Sequence, residues 1–184
     1  MSFVFTSFLA LPLMAQDNPK IEVFGGYQFL HDGDIDGIGN GVNANGWNGS
    51  VAFNFSEHFG AAADFSGTYK STILDNAGIH FHGYTYTFGP VASWKVGRST
   101  KVFTHALFGG AHLTPTLCLF GGDPNQCQGD LSFTGFAMML GGGVDVGSKR
   151  VGLRLFQADW VDLPVQAGGH VNNVRLSTGL VFRF

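Results

Sequence analysis

The sequence predicts an all-β fold, an eight-stranded antiparallel up-and-down transmembrane β-barrel, and three observations predict it. From Lys20 onward the chain falls into segments of about ten or more residues in which apolar side chains recur at every second position, the weak signature of barrel strands. The links between these segments alternate in length. Composition completes the case: 28 glycines, 14% aromatic residues and only 12% charged residues do not suit a water-facing globule.

Eight segments carry the alternation: Lys20–Leu30, Gly46–Phe55, Gly60–Lys70, Ile79–Val96, Lys101–Leu113, Leu131–Gly147, Val151–Asp162 and Asn172–Phe184. Short links follow the even segments, at Ser56–Phe59, Gly97–Thr100 and Ser148–Arg150. Long ones follow the odd segments, at His31–Asn45, Ser71–Gly78, Thr114–Asp130 and Leu163–Val171. A barrel with both termini in the periplasm requires this order, short turns within and longer loops outside. A soluble sandwich has no reason to sort its loops so.

The last segment tests which face meets lipid. Val174, Leu176, Thr178, Leu180, Phe182 and Phe184 share one face; Arg175, Ser177, Gly179, Val181 and Arg183 share the other. An arginine facing lipid near the bilayer midplane costs roughly 2–4 kcal/mol, so Arg175 and Arg183 are expected inside the barrel or at its rims. Trp47, Val51, Phe53 and Phe55 oppose Asn48, Ser50, Ala52 and Asn54 in the same way, and Phe65 and Tyr69 oppose Asp64, Ser66, Thr68 and Lys70. Phe136, Met138, Leu140, Val144 and Val146 oppose Gly135, Ala137, Gly141, Gly143 and Asp145, from which an interior wall dominated by glycine and alanine is expected. Tyr84, Tyr86, Phe88 and Trp94 lie on one face and supply part of the aromatic girdles. The seventh segment breaks the rule, because strict alternation puts Gln157 and Asp159 into lipid. Either a β-bulge near Phe156 returns both to the inside, or both lie above the hydrocarbon.

Residues 1–15 read as the apolar core of an export signal and residues 16–184 as the barrel domain. Leu13 and Ala15 stand at positions suited to signal-peptidase cleavage, although no Lys or Arg precedes Lys20; a short buried helix is the alternative. Past this segment no apolar run approaches the roughly 20 residues of a membrane-spanning helix. The net charge of -3 comes without a basic tract, so neither a nucleic-acid partner nor a polybasic lipid anchor is expected. Cys118 and Cys127, an even pair in an exported chain, are expected to form a disulfide; structural zinc needs four ligands, and no Cys or His partner stands nearby at ligand spacing.

The ending Asn172-Asn-Val-Arg-Leu-Ser-Thr-Gly-Leu-Val-Phe-Arg-Phe184 resembles the final strand of outer-membrane β-barrel proteins, and Gly141–Gly147 with Val151–Trp160 resembles the late strands of small OmpA-like, opacity-type barrels. That resemblance implies that Phe182 and Phe184 form a C-terminal sorting signal read by the barrel-assembly machinery. It also implies a bacterial outer-membrane location among lipid and lipopolysaccharide. It is specific for fold and weak for activity, since such barrels serve as anchors, adhesins and small-solute binders. No periplasmic domain follows Phe184, so the peptidoglycan-anchoring role of longer relatives is not expected.

Within the barrel, Glu22, Asp64, Lys70, Lys95, Asp145, Arg154, Arg175 and Arg183 are expected to form an ionic network, each charge offsetting the desolvation of another. A gated ion path is the sharper alternative, disfavoured because eight strands leave little more than side-chain volume. Asp32, Asp34 and Asp36 match the opening of a calcium loop. The match then fails, with Asn43 where a bidentate Glu belongs, and a polar loop is the simpler reading. His80 and His82 share a face near the external rim, where an interfacial role is the ordinary one. His105 and Ser93 do not assemble into a nucleophile and base from spacing alone, and no Gly-x-Ser-x-Gly elbow occurs. The reading is a non-enzymatic, monomeric outer-membrane protein, without cofactor or catalytic residues, acting through its external loops. A porin-like narrow channel or binder for small apolar solutes, and a lipid-modifying enzyme, are the alternatives.

Overall fold

In the computed structural model, residues 19–32, 43–74, 77–119, 127–130, 132–164 and 170–184 are described. They form nine strands: β1 (Ile21–Asp32), β2 (Asn43–Asn54), β3 (Phe59–Leu74), β4 (Ala77–Val96), β5 (Thr100–Leu119), β6 (Cys127–Asp130), β7 (Phe133–Gly147), β8 (Val151–Pro164) and β9 (His170–Arg183). All but the short β6 are barrel staves. Each pairs antiparallel with its neighbours in the chain, β5 with β7, and β1 closes on β9 from Glu22↔Arg183 to Asp32↔Asn173. Closure leaves the barrel itself no free edge.

Local chemistry sets the tight ends. Ser56 Oγ accepts from Phe59 N at 2.9 Å in the β2–β3 turn. Ser148 Oγ accepts from Val151 N at 3.2 Å in the β7–β8 turn. Gly97, with φ of 76°, occupies left-handed backbone that a β-carbon disfavours, and so turns β4 into β5. The staves overrun the sequence-based segments at the opposite end: β3 continues to Leu74, β4 starts at Ala77 and β5 reaches Leu119. Much of the expected loops Ser71–Gly78 and Thr114–Asp130 is therefore sheet. Pro115 reads as a strand breaker, yet it sits in the ladder opposite Phe81, just before the register shift to β6 between Thr116 and Cys118.

Alternation holds around the wall. Tyr27, Trp47, Phe65, Tyr84, Phe88, Trp94, Phe136, Leu180 and Phe182 are exposed, a lipophilic exterior larger than water tolerates. At about 3.4 Å per residue and a tilt of about 40°, the ten residues from Tyr84 to Trp94 rise about 26 Å, the height of an outer-membrane apolar band. On β8 the alternation slips. Leu155 (49% exposed) and Phe156 (53%) both face out, the registers to β7 and β9 shift there, and Gln157 and Asp159 turn fully inward. This is the bulge expected near Phe156; the alternative, both residues lying above the hydrocarbon, is excluded.

The expectation of a glycine and alanine wall is corrected. It describes β7, whereas the interior as a whole is polar toward the turn end and aliphatic toward the loop end. There Leu30, Leu107, Met139, Val161 and Leu163 pack with Ala44, Ala111 and Ala137. Polar groups are tolerated inside because they meet one another.

Candidate functional site

The interior charges stack in layers from the turn end upward. In the first, Lys101 Nζ binds the Glu22 carboxylate, Asn54 Nδ2 donates to Glu22 Oε1 at 2.8 Å, and Arg183 Nε lies 3.5 Å from Glu22 Oε2. The second is built on Arg154. Its Nε donates to Asp145 Oδ1 at 2.8 Å and its Nη1 to Gln157 Oε1 at 2.6 Å, while the rings of Phe24 and Phe103 each lie with centroids 4.2 Å from its Cζ. A guanidinium held between two aromatic faces and a carboxylate is both desolvated and satisfied.

The third layer centres on Arg175, 1% exposed. Nη1 and Nη2 donate to the two oxygens of Asp64 at 2.9 and 3.3 Å, and Nε and Nη2 to Asp159 Oδ2 at 2.9 and 2.7 Å. Gln157 Nε2 donates to the same Asp159 oxygen at 2.7 Å, and His105 Nε2 lies 3.0 Å from Asp159 Oδ1. Asn48 Nδ2 donates to Asp64 Oδ2 at 2.9 Å. The bulge makes this layer, since without it Asp159 would point into lipid. Gly141 faces it from β7, where a β-carbon would collide with the Asp159 carboxylate.

Of the expected network, Glu22, Asp64, Asp145, Arg154, Arg175 and Arg183 meet partners inside. Lys70 is half-buried at the loop end, away from these layers, and Lys95 is corrected to an exposed position at the turn-end rim. Lys101, His105, Gln157 and Asp159 complete the layers. Lys101 stands opposite Asp145 in the β5–β7 ladder, a register that its own strand's sequence does not carry.

Ser93 and His105 both face inward, and His105 Nε2 is engaged by Asp159. His82 packs edge-on against Tyr69 with ring centroids 5.4 Å apart, and His112 Nδ1 lies 2.7 Å from Thr134 Oγ1. Among the described residues no group of three or more His, Cys, Asp or Glu is placed to hold a metal ion. Asp34 and Asp36 of the calcium motif lie outside the described residues, and Asp32 ends β1. The export segment 1–15 also lies outside them. The ladder sets the backbone of Cys118 opposite that of Cys127. Phe182 and Phe184 face outward at the turn end.

The described interior cavities between the layers are small, about 20 and 30 Å³, room for a water or two and no more. A filled lumen, an apolar outside and β1 closing on β9 decide the architecture. The fold is that of the small outer-membrane barrels. Ail, the attachment invasion locus protein of Yersinia pestis, superposes with a TM-score of 0.62 at 18% identity over 90% of this chain and 99% of Ail, and has also been solved in complex with the heparin analogue sucrose octasulfate. Neisserial surface protein A (NspA) gives 0.62 at 12% identity over 90% and 97%. The N-terminal β-barrel domain of Pseudomonas aeruginosa OprF gives 0.51 at 9% identity over 91% and 100%. No family model and no curated protein matches the sequence.

Proposed function

We propose that this chain is an integral protein of the bacterial outer membrane, exported by its N-terminal segment, whose function is non-enzymatic contact with other surfaces through the loop end of the barrel. The observation that carries the reading is the filled lumen. Three layers of paired charge and an aliphatic plug leave cavities of about 20 and 30 Å³, so the described barrel is suited to anchoring and display rather than to passage. Display has its own structural support in the sheet that β3, β4, β5 and β6 continue toward the loop end, beyond the belt marked by Tyr84.

Charge narrows the partner. Asp32, Asp34, Asp36, Asp75, Asp123, Asp130 and Asp162 belong to the loop-end segments, against the single base Lys70. An acidic end of this kind attracts basic surfaces and repels sulfated polyanions. In that respect it differs from what the Ail complex with a heparin analogue would suggest by analogy.

The test is twofold. Purified barrel reconstituted into vesicles is expected to give no ion conductance and no swelling with small solutes, and cells displaying it are expected to bind a polylysine-coated surface better than cells displaying a version with Asp123 and Asp130 replaced by Asn. Steady conductance, or binding indifferent to those aspartates, contradicts the reading.

A further inference from the structure

Of the ten Lys and Arg residues in the chain, all but Lys70, Arg154 and Arg175 line one cavity of about 920 Å³ at the turn end. Among the described residues no Asp or Glu side chain lines it. Glu22 and Asp145 lie beneath, already engaged by Lys101, Arg183 and Arg154, and Glu57 on the β2–β3 turn stands outside the lining. One donor on the cavity floor is unsatisfied: Arg183 Nη2 is buried without a hydrogen-bond partner, 3.9 Å from Asp145 Oδ2, while Nη1 is held by Ser148 O at 2.8 Å. The rim cations Arg98, Lys149 and Arg150 are exposed.

Two features choose the ligand. The lining is apolar as well as cationic, with Pro19, Val151, Phe182 and Phe184 beside the bases, so an amphiphile fits it better than a free polyanion. The rim also stands at lipid-headgroup depth. Arg98 follows the outward-facing Val96 by two residues, Arg150 precedes the outward-facing Val151, and the main chains of Arg150 and Arg183 are joined by a 2.8 Å hydrogen bond. At about 3.4 Å per residue these charges lie within roughly 7 Å of the hydrocarbon boundary, where phosphodiesters sit.

We infer that the turn-end cavity is a binding site for the phosphate headgroup of an anionic phospholipid in the adjoining leaflet, with Arg98, Lys149 and Arg150 as its outer contacts and Arg183 at its floor. This rests on the chain spanning a membrane, and its failure is separable: a chain that does not float with vesicles defeats the membrane reading, whereas one that floats without lipid selectivity defeats this inference alone.

The experiment measures, by native mass spectrometry, the lipid retained by the full chain from detergent micelles holding equal phosphatidylcholine and phosphatidylglycerol. Phosphatidylglycerol is expected to be enriched about tenfold, falling to within about twofold in the Arg98→Ala/Lys149→Ala/Arg150→Ala variant and, for the unaltered chain, at high salt. Unboiled gel mobility confirms that the variant is folded, and the salt series decides the matter should it not fold. Equal retention of the two lipids, or enrichment untouched by both the variant and salt, overturns the inference. Excess inorganic phosphate is expected to leave most of the enrichment. Its complete loss would assign the cavity to free phosphate and overturn the lipid assignment.

Discussion

Replacing Arg175 by methionine removes the one cation shared by Asp64 and Asp159 while keeping most of the side-chain length. Both carboxylates are 1% exposed, and each is held by Arg175 at 2.9 Å or less. Removing one partner of a buried pair costs about 3–5 kcal/mol, because the remaining charge stays desolvated, and here two charges are stranded by one change. Asn48, Gln157 and His105 still contact them and soften the loss, so the expected cost is at least about 3 kcal/mol. Urea unfolding in lipid vesicles, followed by the emission of the outward-facing Trp47, Trp94 and Trp160, measures it. Adding Asp64→Asn and Asp159→Asn to Arg175→Met removes the stranded charges and is expected to restore most of the stability. A single variant within about 1 kcal/mol of the unaltered protein, or a triple variant no better than the single, refutes the reasoning.

Deleting Phe156 takes out the bulge's extra residue and leaves Leu155 facing out with Gln157 and Asp159 still facing in, so the folded, fast-migrating band of unboiled protein is expected to persist, whereas inserting one alanine after Phe156 turns Gln157 and Asp159 toward lipid, or Phe156 into the filled lumen, and is expected to abolish it. Gly141→Leu forces a side chain against the Asp159 carboxylate and is expected to destabilise the barrel by about 1–3 kcal/mol in the same urea assay, while Gly97→Ala, with open space around it, is expected to cost about 1–2 kcal/mol from its left-handed backbone alone. The disulfide proposed for Cys118 and Cys127, which the ladder sets opposite one another, makes the exported protein unreactive to maleimide until it is reduced.

Period-two alternation made the staves legible, and Arg175 together with Arg183 fixed the facing of the last one, because no lipid-facing arginine is cheap. The bulge was legible for the same reason: Gln157 and Asp159 could be reconciled with Leu153 and Leu155 only by a slip. What the sequence hid was of two kinds. Beyond the apolar band both faces of a strand are wet and alternation is no longer enforced, so Ser71–Leu74 and Thr114–Leu119 read as loop although they continue the sheet. Inside, the partner of a charge is set by axial height, a sum of register shifts around eight staves. Arg154 was therefore foreseen as an interior cation, but not its seat between Phe24 and Phe103, nor Lys101 as the partner of Glu22. Lys95 shows the converse, since it has inward parity but lies one rung too near the rim to be covered.

A nitroxide scan of Val151 to Asp162 in lipid bilayers tests the central claim most directly, reading each site's collision rate with oxygen against that with a water-soluble relaxant. Oxygen accessibility is predicted to peak at residues 151, 153 and 155, again at 156, and then at 158 and 160, with interior minima at 154, 157 and 159. Unbroken alternation through 156, or accessibility without any period of two, would contradict a closed barrel whose charges are gathered within.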